Sequence, residues 1–288
     1  MFLASFRAFV HNCPMQAPLR PPVPRRTWAG VACTPLVLAT LTFASPYLHL
    51  PATWLDIATF AGGAGLALAS LHLLSHNGIP KTVQLAVGVA ALCLWTLAAI
   101  ALTPRLGAVV VGTALVFIGH LVGDAIGSRI EHPGHLLPAC VVAGVADVAS
   151  VLLPAGPTHA VVASERALAL MTLSFPVLGT RVLAPVLGIG DIVFIALLLG
   201  AARKHALSRV RMTLLAAAGV ALAGVASAVV QSAVPALPAI GLAAVTGFRP
   251  AHRLRPRDVR VAALFIAATL VVATAVVAAR FLFPDASP

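Results

Sequence analysis

Residues 185–194 read PVLGIGDIVF. An aspartate, Asp191, follows two glycines in the middle of an apolar run that extends from about 182 to 202. A carboxylate in hydrocarbon is expensive, and an acid kept there marks a functional position. Whether this run is a membrane span therefore decides both the fold and the chemistry to look for.

The rest of the chain answers the first question. Of 288 residues, 60% are hydrophobic and 9% charged, and the mean hydropathy is +1.01. A soluble domain carries about a quarter charged residues, so this chain has too few to cover a water-facing surface. Apolar runs near 20 residues recur, each long enough to cross about 30 Å of hydrocarbon. The alternation of a transmembrane barrel is absent. The expected fold is all-α, a polytopic transmembrane helical bundle.

Nine spans are expected, over 28–45, 54–74, 82–103, 106–128, 136–153, 182–202, 212–233, 235–248 and 259–281. The eighth is short and opens on a proline. A weaker apolar patch, ALALMTLSFPVL over 167–178, reads as interfacial or re-entrant. The domain reading follows: a cytoplasmic Pro/Arg-rich tail over 1–27, a four-helix scaffold over 28–130, a core over 136–248, and a basic loop with a C-terminal span over 249–288.

The net charge of +11 is no nucleic-acid footprint, because the basic residues sit in short loops between apolar runs. With the N-terminus cytoplasmic and the C-terminus outside, 15 of the 19 basic residues fall inside, as the positive-inside rule requires. A tenth span at 167–178 would reverse nine of them. The N-terminal stretch lacks a signal-peptide pattern, and the Ala/Arg-rich composition fits a prokaryotic plasma membrane. Cys13, Cys33, Cys93 and Cys140 form no CxxC pair and read as small packing residues.

Only eight residues are acidic. Asp56 is expected at an interface. Asp124, Asp147 and Asp191 fall inside spans. Counted at 1.5 Å per residue, Asp147 lies about 17 Å from the inner end of its span and Asp191 about 16 Å from the same face. The two spans are antiparallel, so their carboxyl groups can meet. Such a pair holds one proton between them. The ionised member then draws a proton from water while the neutral one polarises an amide carbonyl.

Gly188, Ile189 and Gly190 precede Asp191, and the glycines are expected to permit unusual backbone angles or close approach of another chain. Pro185 lacks an N–H. A third element is VPALPAI, in which Pro235, Ala236 and Leu237 open the eighth span. Prolines there leave backbone groups free to pair with an extended peptide, or simply begin a helix.

An aspartate in ADVASVLLPAGPTHAVVASER, then GIGDIVFIALLLG, then VPALPAI, in that order, resembles the presenilin and signal-peptide-peptidase family of intramembrane GxGD aspartyl proteases. The resemblance covers about 137–248. It implies that Asp147 and Asp191 are the catalytic pair, and that Gly188, Ile189, Gly190, Pro235, Ala236 and Leu237 shape the active site and hold substrate. It implies substrates that are transmembrane helices or signal-peptide remnants, reached through membrane lipid, with no cofactor and no metal. The chain departs from the pattern in having Ala146 where the family has Tyr, a short linker between the two acids, and a further span after the third element.

Two other readings compete. Prepilin peptidases also use GxGD but carry Lys two residues on, where this chain has Val193. A proton-coupled transporter would use His120 and Asp124, which lie i,i+4 on one helix face. The set His120, Asp124, Glu131, His132 and His135 has zinc-compatible residue types but no zinc-site spacing.

Overall fold

The computed structural model describes residues 25–48, 51–76, 81–102, 104–152, 156–230 and 234–248, with 250 and isolated positions between 259 and 271. The tail expected over 1–27, apart from its last three residues, lies outside the described residues. So does most of the span expected over 259–281.

Four helices come first: α1 (Arg25–Ala44), α2 (Ala52–Leu74), α3 (Lys81–Ala101) and α4 (Pro104–Gly127). Then α5 (Leu136–Leu152) carries Asp147. Two short helices, α6 (Pro157–Val162) and α7 (Glu165–Met171), lead into strands β1 (Thr172–Pro176) and β2 (Leu183–Gly188). The chain continues as α8 (Ile189–Lys204), α9 (Arg209–Val230) and α10 (Leu237–Gly247). Among the described residues, four stretches are helical, long and apolar enough to cross a membrane: Trp54–Leu74, Pro104–Gly127, Pro133–Val151 and Arg209–Val230. The apolar helices Ala86–Ala101 and Leu237–Gly247 are shorter.

The fold is thus mostly helical, but not wholly so. The helix expected over 182–202 begins only at Ile189, and the six residues before it form β2. The apolar patch at 167–178 is the end of α7 followed by β1. The two strands pair antiparallel, with Leu173 opposite Leu187 and Phe175 opposite Ala184. Pro185 has no N–H to donate, and the register shifts beside it, between Leu173 and Ser174. Pro176 and Pro185 together exclude a regular helix here, and Gly179, at φ 77°, makes the turn.

Extended backbone at membrane depth persists only where protein or water covers it. Here helices cover it through glycine notches. Phe175 fills the space a side chain would take at Gly62 of α2, and Val186 does so at Gly63. Leu173 and Leu38 close on Gly112 of α4. The turn is tied down as well, since the Gly179 N–H donates to the Ser45 carbonyl at 2.7 Å.

The core centres on α4 and α8, the most extensively packed helix pair. Gly119, Gly123 and Gly127 of α4 form a bare stripe against which the α8 backbone lies. A Cβ at Gly123 would strike the Val193 carbonyl, and one at Gly127 the Leu197 carbonyl. Rising numbers on α4 meet rising numbers on α8, so the two run parallel. Ile192, Ile195, Leu198 and Leu199 of α8 are fully buried. Helix α10 packs just as closely on α9, where a Cβ at Gly219 would meet the backbone of Ile240. Of the three described cysteines only Cys140 is buried. Cys33 and Cys93 lie on exposed helix faces, so the expectation that they pack in the core is corrected.

Gly123→Ala should destabilise the protein by about 1–3 kcal/mol, the usual effect of overpacking. Gly65, whose Cβ would meet nothing within 4 Å, is the control, and its change to Ala should stabilise by about 0.5–1 kcal/mol. Denaturant unfolding in one detergent measures both. At the end of α8, Ala206 holds φ 52° while the Leu207 N–H closes onto the Ala202 carbonyl at 2.8 Å. This left-handed cap favours glycine, so Ala206→Gly should raise stability by about 1 kcal/mol.

Candidate active site

Asp191 stands in the first turn of α8, directly after β2. The strand delivers the chain and the helix begins at Ile189. That places a carboxylate at a helix N-terminus, where the positive end of the dipole favours it. Its Oδ2 accepts the Gly188 N–H at 3.1 Å. Ile189 leans on the apolar core.

The two glycines act differently from expectation. Gly188 is extended, at φ −73° and ψ 156°, a conformation open to any residue. Gly190 is helical, and among the described glycines only Gly179 has positive φ. Neither therefore supplies an unusual backbone angle. Gly190 supplies room instead: it is exposed, and a Cβ there would meet nothing within 4 Å. One side of the turn that bears Asp191 is open.

Asp147 is partly buried, three turns into α5. Its Oδ2 accepts the Leu237 N–H at 2.9 Å. Pro235 and Ala236 precede α10, the Ala236 carbonyl accepts the Ile240 N–H at 3.0 Å, and Pro238 lies in the first turn. The α10 N-terminus presents free amides, as every helix start does, and Asp147 caps that of Leu237 from another helix. Gly144, one turn earlier on α5, admits Pro238, whose Cα would be 3.4 Å from a Cβ at that position. Ala146, beside Asp147, is exposed.

Helices α5 and α8 have no extended contact with each other. The link is α10, which packs on α5 along its length and touches α8. Through it the two acids come within electrostatic reach of each other. Residues 182–202 are not one helix, because Leu183–Gly188 is extended. A strand rises about 3.3 Å per residue rather than 1.5 Å, so the same residues carry Asp191 further from the start of the stretch than a helix would. The depth of about 16 Å expected for it on helical rise alone does not hold.

Two further acids and bases separate from this site. Asp124 forms an ion pair with Arg203 of α8 at 2.7 Å, and both it and His120 are buried. His132 and His135 face each other with ring centroids 6.0 Å apart. Among the described residues no group of three or more His, Cys, Asp or Glu is placed to hold a metal. Arg203 and the β1–β2 hairpin are the elements that the residue patterns did not flag.

Searches of family models, of curated proteins and of solved structures found no match to this chain.

Replacing Asp147 by Ala removes the acceptor for Leu237 N–H. A hydrogen bond to a charged group contributes about 1.5–3 kcal/mol, so amide exchange at Leu237 should accelerate about tenfold or more. Hydrogen–deuterium exchange read by mass spectrometry tests this, and unchanged exchange would remove α10 from the site.

Proposed function

We propose that this protein is an intramembrane aspartyl protease of the GxGD type, with Asp147 and Asp191 as its catalytic pair. The observation that carries the reading is the anchoring of the α10 start on Asp147 within electrostatic reach of Asp191. Three elements far apart in the chain, each a feature of the resembled family, share one neighbourhood. The substrate class is a transmembrane helix or signal-peptide remnant entering from lipid.

In this scheme the two carboxyl groups hold one proton. The ionised one accepts a proton from water as its oxygen attacks the amide carbon, and the protonated one donates to the carbonyl oxygen. Collapse of the tetrahedral carbon then breaks the C–N bond, with the nitrogen taking a proton from the dyad. A helical peptide must unwind first. The open side at Gly190 gives it room, and the hairpin next to Asp191 offers backbone partners to an extended strand.

The reading also keeps nine spans, a cytoplasmic N-terminus and a prokaryotic plasma membrane. Charge placement requires α4 and α8 to cross in the same direction, and their parallel packing supports it. Transport coupled to protons gains less support. Its candidate acid, Asp124, is engaged by Arg203 at 2.7 Å.

Asp147→Asn and Asp191→Asn keep size and remove the acid. Each should lower cleavage of a transmembrane peptide in bicelles by about 100- to 10,000-fold, with the protein still folded by circular dichroism. Parent-level cleavage by either variant would end the proposal.

A further inference from the structure

The glycine stripe on α4 raises a question of register. Gly119, Gly123 and Gly127 repeat every four residues and present no side chain to α8. A smooth, periodic seam holds two helices close but does not say where along it they should stop. Sliding α8 by one turn, about 5.4 Å, would set its backbone on the same kind of surface. Just past the two helix ends His205 Nε2 meets the Ile130 carbonyl at 2.9 Å. Within the seam itself the one polar contact among the described residues is Arg203 Nη2 to Asp124 Oδ2 at 2.7 Å.

That contact is housed in a notch. Asp124 Oδ1 sits where a Cβ at Gly200 would be, 2.9 Å from it. The environment is dry. Asp124 is 4% exposed and His120 is 2% exposed, and Asp124 Oδ1, Arg203 Nη1 and both His120 nitrogens have no hydrogen-bond partner. Apolar side chains of similar volume commonly stabilise a core as well as a buried ion pair does or better. What a buried pair adds is discrimination, because any other alignment strands a charge without a partner, and register is the best attested use of such groups.

We propose that Asp124 and Arg203 are positioning residues that fix the axial register of α8 on α4, and so set the height of Asp191 at the other end of α8. Twelve residues of helix, about 18 Å, separate Arg203 from Asp191. A rigid helix transmits a shift at one end to the other undiminished. His120, one turn before Asp124 on the same face, has no hydrogen-bond partner in this register, so discrimination between alignments falls to the Asp124–Arg203 pair. The consequence for catalysis rests on the proteolytic reading, whereas the register itself does not.

The test measures both separately. Nitroxide labels are placed at Arg129 and Lys204, exposed positions just past α4 and in the last turn of α8, in a background with the four native cysteines replaced by alanine. Pulsed electron–electron resonance should give one narrow distance in the parent. Asp124→Asn should broaden it or displace it by about 5 Å, and Gly200→Ala, which expels the carboxylate from its notch, should do the same. Arg203→Lys, which keeps the charge, should retain the parent distance.

Peptide cleavage by the unlabelled variants should then fall about 100-fold in kcat for Asp124→Asn at nearly constant KM, as expected of misplaced catalytic groups. An unchanged distance in Asp124→Asn and in Gly200→Ala overturns the proposal. A displaced distance with kcat retained overturns its catalytic half. Equal cleavage by the parent and Asp191→Asn would instead overturn the protease assignment, leaving the register result standing.

Discussion

Backbone amides and carbonyls that leave a helix inside an apolar layer must find partners in the protein, and among the described residues two such departures lie beside the candidate acids. One is at 172–188, where the groups pair across a hairpin. The other is at 234–236, where α10 begins and the Leu237 amide meets Asp147. Both candidate catalytic acids stand at these departures. Asp191 follows the first and Asp147 caps the second. The same physical requirement that makes irregular backbone rare in such a protein concentrates it where polar side chains are available to satisfy it.

Glycine makes the arrangement possible by removing bulk more than by bending chain. Gly62, Gly63 and Gly112 receive the hairpin side chains, Gly144 admits Pro238, and Gly190 leaves a side of its turn open. Close approach is the common thread. With so few polar residues to direct packing, backbone proximity and shape carry most of the specificity, as is usual between helices in lipid. The Asp124–Arg203 pair is the exception, a single charged contact inside a seam otherwise built from glycine and aliphatic residues.

Much of this was legible in the residues. Apolar runs located eight of the helices to within a few positions, with the exception of the start of α8, because length and hydropathy follow directly from the solvent the helices face. VPALPAI reads as a place where backbone groups lack helical partners, and there the Leu237 N–H is taken by the Asp147 carboxylate. The hairpin was hidden because hydropathy is blind to backbone conformation. Pro176 and Pro185 on either side of Gly179 were the available signal, read only as an interrupted patch. The partner of Asp124 was hidden for a different reason. Counted at 1.5 Å per residue, Asp124 lies about 6 Å inside its span, while Arg203 falls just past the expected end of 182–202, so the count does not bring the two together. Gly188 and Gly190 were assigned a backbone role that their ordinary angles do not require, since composition cannot distinguish a glycine chosen for φ from one chosen for space.

The parallel pairing of α4 and α8 carries one more implication. In antiparallel neighbours the peptide dipoles oppose and largely cancel, whereas here they reinforce, and the two negative ends gather at the same side. Arg203 and Lys204 in the final turn of α8, and Arg129 just beyond α4, lie where that negative potential accumulates. These cations would be favoured there in any solvent. The position of these three cations at one end of the pair therefore follows from how the two helices lie together, before any membrane acts on it.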